Sequence, residues 1–180
     1  MQILHTTPRG DGFAMPAEFD RHDGCLMIWP TRGDSWRRGG WPARDAFVAV
    51  ASAIAKSEEV TMLVDASQYE TARAMLPPEV RLVELSTDDS WARDVCPTFV
   101  RDRAGNVRGV DGGFNAWGGL VDGLYFPWDK DNHVARKVCD LFRTDCYDCR
   151  EFILEGGSIH SDGDGTILTT ESCLLSAGRN

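Results

Sequence analysis

No stretch of this chain approaches the roughly 20 consecutive apolar residues that a membrane-spanning helix needs, so a membrane is not an expected partner. Positive charge is also scarce, with 19 Lys and Arg against 28 Asp and Glu and a formal net charge of −9. Nucleic-acid binding favours a basic face, so nucleic acid is not expected either. The acidic balance suits a cationic small molecule, and it equally suits plain solubility. The opening MQILHTTPRGDGFAMPAEFD lacks the basic-then-apolar pattern of a secretory signal, and the expected location is cytoplasmic. Without such a signal, the six cysteines are expected to be reduced and scattered. Cys146 and Cys149 form a C-x-x-C in TDCYDCRE, but the second pair that a structural zinc would need is missing. A thioredoxin-like dithiol would sit at a helix start after a strand, whereas this pair is read into a polar link after an amphipathic helix. A zinc or redox protein is therefore the last of the readings kept. Low-complexity tracts and obvious linkers are absent, so one domain with a real core, or part of a larger one, is expected.

What is present reads as a mixed α/β chain. Ala46, Phe47, Val50, Ala51, Ile54 and Ala55 recur at helical spacing and predict a helix over about residues 43–57. VTMLVD (Val60 to Asp65) reads as a buried strand, ASQYETARAML as a helix closed by Pro77 and Pro78, and VRLVEL (Val80 to Leu85) as a strand. CPTFVRDRAGNVRGVD predicts two strands joined by an Ala-Gly-Asn turn, and NHVARKVCDLF a helix with Val134, Val138, Leu141 and Phe142 on one face. EFILEGGSIHSDGDGTILTTESCLLS predicts three short strands separated by Gly-rich turns. The expected order is helix, strand, helix, strand, hairpin, long loop, helix, strand, hairpin. Such mixing of crossovers with hairpins fits neither a doubly wound sheet nor a sandwich.

Two loops carry more chemistry than a connection needs. LSTDDSWARDVCP brings Asp88, Asp89, Trp91, Arg93 and Asp94 together just past a strand end. A carboxylate there can take two parallel hydrogen bonds from a guanidinium, and an indole face can stack on the cation. The bland alternative is a solvated acidic turn with an Arg93–Asp94 or neighbouring ion pair. The loop GVDGGFNAWGGLVDGLYFPWDKDN interleaves glycines with Phe114, Trp117, Tyr125, Phe126 and Trp128. Those rings can wall a pocket, and for most of them a satellite core under the loop is the expected role. A third stretch, FILEGGSIHSDGDG, ends an apolar run in Glu155 followed at once by two glycines. An unpaired buried acid is costly, so Glu155 either caps a turn or stands in a site with chemistry to do.

In order along the chain, MPAEFD, MIWP, SWARD, FNAWGGLVDGLYFPWDKDN, FILEGGSIHSDGDGT and LTTESCLLSAGRN resemble the N-terminal half of bacterial agmatine deiminases. These are members of the guanidino-group-modifying superfamily and relatives of the porphyromonas-type peptidylarginine deiminases. The resemblance runs from about residue 12 to the last residue. It implies an α/β propeller (pentein) of ββαβ-type units, about half of a five-unit ring, with residues 1–180 as one partial catalytic domain. It also implies hydrolysis of the agmatine guanidinium to N-carbamoylputrescine and ammonia, in putrescine biosynthesis, without metal or organic cofactor. In that chemistry a Cys thiolate attacks the guanidinium carbon, ammonia leaves, and water resolves the amidino adduct while a His moves protons. Asp94 in SWARD matches the acid that grips the guanidinium nitrogens, and Glu155 in LEGGSIH matches the catalytic-site glutamate. Trp91, and after it Trp117, are the candidate rings for lining the substrate. Dimers are what the family alone implies.

Two of the family's motifs are not in these residues: the NGHVDD-like stretch with the catalytic histidine, and the GGGNIHC-like stretch with the nucleophile. His160 does not match that histidine and reads as a supporting residue. Cys96, two positions past Asp94, is the best nucleophile candidate by proximity, yet no histidine is evidently placed to activate it. Cys25, Cys139 and Cys173 read as core. The expectation is a deiminase represented by half of its ring, as a gene fragment, an incomplete sequence or an expressed piece, and inactive when isolated. A non-catalytic guanidine-binding or assembly module and a peptidylarginine deiminase relative are the alternatives.

Overall fold

The computed structural model describes residues 1–180, and the chain falls into two units, Arg21–Ala92 and Met1–Asp20 together with Arg93–Asn180. Along the chain the elements are β1 (Ile3–Leu4), β2 (Cys25–Ile28), α1 (Trp41–Ile54), β3 (Val60–Val64), α2 (Tyr69–Met75) and β4 (Arg81–Glu84). There follow α3 (Ala92–Val95), β5 (Thr98–Arg101), β6 (Val107–Gly113), α4 (Gly119–Asp122) and α5 (Val134–Leu141). The last are β7 (Cys146–Ile153), β8 (His160–Ser161), β9 (Ile167–Leu168) and α6 (Glu171–Leu175).

In Arg21–Ala92 the strands lie in the order β2–β3–β4, all parallel, with Met62 opposite both Met27 and Leu82. Parallel neighbours need a crossover, which α1 and α2 supply. The central strand β3 is buried along its whole length, which is why VTMLV shows no polar alternation. Phe47, Ala51 and Ile54 of α1 join Trp29, Met62, Val64, Ala72, Leu76 and Val80 in one core. Asp65 starts the turn that leads into α2, its Oδ1 accepting from the Ser67 N–H at 3.0 Å. Asp65→Ala is expected to lower the urea-unfolding free energy by about 1 kcal/mol, and a loss below ~0.3 kcal/mol would contradict the capping role.

In the other unit the sheet order is β1–β7–β6–β5. β5 and β6 form the expected antiparallel hairpin, and the Asp102 carboxylate holds its turn by accepting from the Ala104 and Asn106 N–H groups at 2.9 and 2.8 Å. β6 and β7 run parallel with α5 as their crossover, and Val134, Val138 and Cys139 bury its inner face. A Cβ at Gly109 would collide with the Cys139 sulfur, so a glycine in β6 lets α5 settle this close. Tyr147 of β7 is fully buried against Phe13 and Val100, and its hydroxyl meets Arg108 and Asp11.

Three expectations change. The C-x-x-C pair lies inside β7 and not in a polar link, because Asp148, which made the stretch look like a loop, is paired with Arg136 at 3.2 Å. Strand alternation sets Cys146 and Cys149 on opposite faces, an arrangement unsuited to a shared metal or a dithiol pair. Second, the three strands expected here are β7 and the antiparallel pair β8–β9, but ESCLLS at the end of that stretch forms the helix α6, since the Thr170 hydroxyl accepts from the Cys173 N–H at 3.3 Å and caps it. Cys173 is half-buried there, and Cys25 is half-buried in β2, so neither is core in the full sense expected. Third, β1 and β2 precede the first helix and were missing from the expected order. No helix is long and apolar enough to cross a membrane.

Candidate functional site

Arg93 and Asp94, the last two residues of SWARD, are stitched to Gly156 and Gly157 of LEGGS, 63 residues further on, within the Met1–Asp20 and Arg93–Asn180 unit. The Gly157 N–H donates to Asp94 Oδ1 at 3.0 Å, and Arg93 Nε donates to the Gly156 carbonyl at 3.2 Å. A Cβ on Gly156 would run into the Arg93 carbonyl oxygen, and one on Gly157 into Asp94 Oδ1. That contact is the reason for the paired glycines: the backbone of residues 156–157 passes directly against residues 93–94. The Glu155 carbonyl accepts from both the Ser158 N–H and the Ser158 hydroxyl, at 2.9 and 2.6 Å, which turns the chain sharply after the acid.

Glu155 is only 1% exposed, and its carboxylate does not face open solvent. Arg179 makes this burial tolerable: its Nη1 donates to Glu155 Oε1 at 2.5 Å, while Oε2 is buried with no hydrogen-bond partner. Burial pushes the Glu155 carboxyl above its ordinary value and Asp94 adds to the rise, opposed by the backbone N–H of Glu155 and by Arg179. Burial also raises Asp94, against the Gly157 N–H, Arg93 and Arg179. Asp94 makes no salt bridge of its own.

The Arg93–Asp94 ion pair of the bland alternative does not form. Arg93 reaches back to Glu18 in MPAEFD and makes a two-pronged bond, Nη1 and Nη2 each 2.6 Å from a carboxylate oxygen. Glu18 thus takes the Arg93 charge, and Arg179 takes that of Glu155. Asp94 is left as the excess negative charge beside a neutralised pair, and such a site attracts a compact cation with several N–H donors.

The two rings are engaged elsewhere. Within Arg21–Ala92, Trp91 stacks on Trp36 with centroids 5.5 Å apart, and both indoles donate to the buried Asp89 carboxylate, at 2.8 and 2.7 Å. Asp89, one of the loop acids, therefore serves to organise two tryptophans. Trp117 sits edge-on to Phe114 and Tyr125, centroids 5.2 and 6.1 Å away, and the Tyr125 hydroxyl donates to Asp131 at 2.5 Å. This is the satellite core expected under the long loop, although Phe126 is 67% exposed. His160 is exposed in β8, and Cys96 is half-buried and not in a disulfide.

Arg179, Glu18 and Asn180 were not singled out from the sequence. The available signal was a lone arginine after a glycine in SAGRN, close in sequence to the acid-bearing LEGGS stretch but without any local pattern that names its partner.

A family model described as porphyromonas-type peptidyl-arginine deiminase matches residues 14–180. An agmatine deiminase of Pseudomonas aeruginosa is 57% identical over 176 residues, covering 97% of this chain and 48% of that protein. The solved agmatine deiminase of Enterococcus faecalis superposes with a TM-score of 0.97 at 52% identity, covering 99% of this chain and 49% of that one. A Campylobacter jejuni agmatine deiminase structure, 24% identical, shares the fold with a TM-score of 0.79. The chain spans about half the length of the relatives it matches.

Proposed function

Since the chain belongs to the porphyromonas-type peptidyl-arginine deiminase family, we propose that it supplies the guanidinium-gripping half of an agmatine deiminase site, with Asp94 and Glu155 as the acids. The observation that carries this reading is their convergence, fixed by the Gly157 N–H on Asp94 Oδ1 and by the sharp turn after Glu155. Agmatine brings a planar cation whose N–H groups suit carboxylate acceptors. Two acids holding its nitrogens orient the carbon for attack and keep the cation beside a thiolate. The thiolate then bonds to that carbon and expels ammonia, and water cleaves the adduct to N-carbamoylputrescine. The nucleophilic Cys and the proton-moving His belong to motifs outside these residues. Trp117, in the same unit as both acids, lines the substrate in this reading, held by Phe114 and Tyr125.

The same proposal takes residues 1–180 as one partial catalytic domain, about half of a five-unit propeller, acting in putrescine biosynthesis. A cytoplasmic location and a homo-oligomer remain parts of it.

A ureido colour assay with agmatine and free arginine tests the enzyme reading. It would be run on this chain alone and on this chain joined to the half of the Pseudomonas aeruginosa relative that it does not match. Turnover of agmatine by the joined protein only, lost in Asp94→Ala and Glu155→Ala, is the expected outcome. Turnover by the chain alone that disappears in Cys96→Ala would place the nucleophile inside these residues and overturn the division of labour.

A further inference from the structure

The segment that ends in Arg179 is anchored residue by residue. The Gly178 carbonyl accepts from Asn115 Nδ2 at 2.6 Å. Arg179 Nη1 bonds both Glu155 Oε1, at 2.5 Å, and the Cys173 carbonyl, at 3.3 Å. Asn180 completes the anchoring by pairing with both backbone groups of Ile153, its Oδ1 accepting from the N–H at 2.7 Å and its Nδ2 donating to the carbonyl at 3.0 Å. Nδ2 also reaches the Leu174 carbonyl at 3.0 Å. Three successive residues thus tie the long aromatic loop, the end of β7 and α6 to one another. The Arg179 side chain at their centre is 13% exposed, so its guanidinium is held in place by these bonds.

We propose that Arg179 is a positioning residue for Glu155: its seated guanidinium holds Oε1 and thereby dedicates Oε2 to an N–H donor of the bound guanidine. The inference rests on the proposed guanidine site and adds to it a residue outside the acids and rings already assigned. The orphaned Oε2 is the second observation behind it, since a buried carboxylate oxygen without a partner is a costly feature unless a ligand completes it. A donor reaching it makes its bond away from water, where such bonds are strongest. Glu155 is faced by Arg179, by Asp94 and by its own backbone N–H, and Arg179 also acts on Asp94. Arg179 thus acts on both acids. Its loss would leave two neighbouring carboxylates to repel each other out of water, and one of them would take up a proton.

The test is carbon-detected NMR titration of the Glu side-chain carboxyls in the wild-type chain, Arg179→Gln and Arg179→Lys, with Glu155 assigned by its disappearance in Glu155→Gln. Calorimetry with agmatine as the probe runs alongside. Arg179→Gln is expected to raise the Glu155 midpoint by about one unit or more and to weaken agmatine binding at neutral pH at least tenfold. Arg179→Lys is expected to restore most of the midpoint but only part of the affinity, because an ammonium lacks the planar fork. A folded Arg179→Gln chain whose Glu155 titrates as in wild type would overturn the inference. If Arg179→Gln does not fold, Arg179→Lys decides, and wild-type affinity in that variant would overturn it. Failure of the wild-type chain to bind agmatine, with the Glu155 midpoint still moving in Arg179→Gln, would instead sink the guanidine-site reading and leave Arg179 as a structural partner.

Discussion

Gly156→Val is expected to unfold the unit formed by Met1–Asp20 and Arg93–Asn180, or to leave it marginal in urea titration. The Cβ of any larger residue meets the Arg93 carbonyl oxygen, a backbone atom that cannot rotate away as a side-chain end could. The two segments would have to part, and with them the Gly157–Asp94 and Arg93–Gly156 hydrogen bonds. Overpacking of this kind costs about 1–3 kcal/mol and more where backbone must shift, against a typical domain stability of about 5–15 kcal/mol. Gly156→Ala should show the lower part of that range, and Gly105→Ala, placed where an added Cβ meets nothing, serves as a control limited to the strain of its φ of +88°. Wild-type stability in Gly156→Val would show that the approach of the two segments is not a fixed feature of the fold.

The second large effect concerns ligand binding. Asp94→Asn and Glu155→Gln keep shape while removing charge, and each should reduce agmatine affinity by about 2–5 kcal/mol, at least 30-fold. The pH dependence follows from the direction of the shifts. Burial raises both acids above their unfolded values. Between its unfolded and folded values each acid binds more protons in the folded state than in the unfolded one. Its contribution to stability is therefore favourable below the unfolded value and is lost as pH rises through the folded one. Agmatine binding needs the ionised forms and has the opposite slope. Affinity should fall on acidification with a midpoint above the ordinary carboxylate value of about 4, while the unliganded chain gains stability over that same window. A binding midpoint at or below the ordinary value would show that these buried acids are not the groups that titrate.

Elements with a strong local signal were legible in the sequence. β3 and the β5–β6 hairpin announce themselves by a continuous apolar run and by a turn flanked by alternating residues. Asp94 and Glu155 were legible as candidate acids because their stretches match a family pattern as well as carrying charge beside glycines. What stayed hidden depends on partners distant in sequence. Asp148 makes β7 look like a loop until Arg136 is placed beside it. Arg93 looks like the partner of its neighbour Asp94 until the fold brings Glu18 to it from 75 residues away. Trp91 reads as a free stacking surface, and only the fold shows that Trp36 and Asp89 already engage it. The role of Arg179 was invisible for the same reason, and the α6 cap was missed although Thr170 was a readable N-terminal signal.

The central claim is that Asp94 and Glu155 recognise a guanidinium group and not merely a positive charge. Calorimetry at pH 7.5 with agmatine and with putrescine, which lacks the guanidinium carbon and its two terminal nitrogens, separates the two most directly. The account predicts heat of binding for agmatine, its loss in Asp94→Asn and Glu155→Gln, and no competition from putrescine. Equal binding of both ligands, or agmatine binding that survives Asp94→Asn and Glu155→Gln, would contradict it.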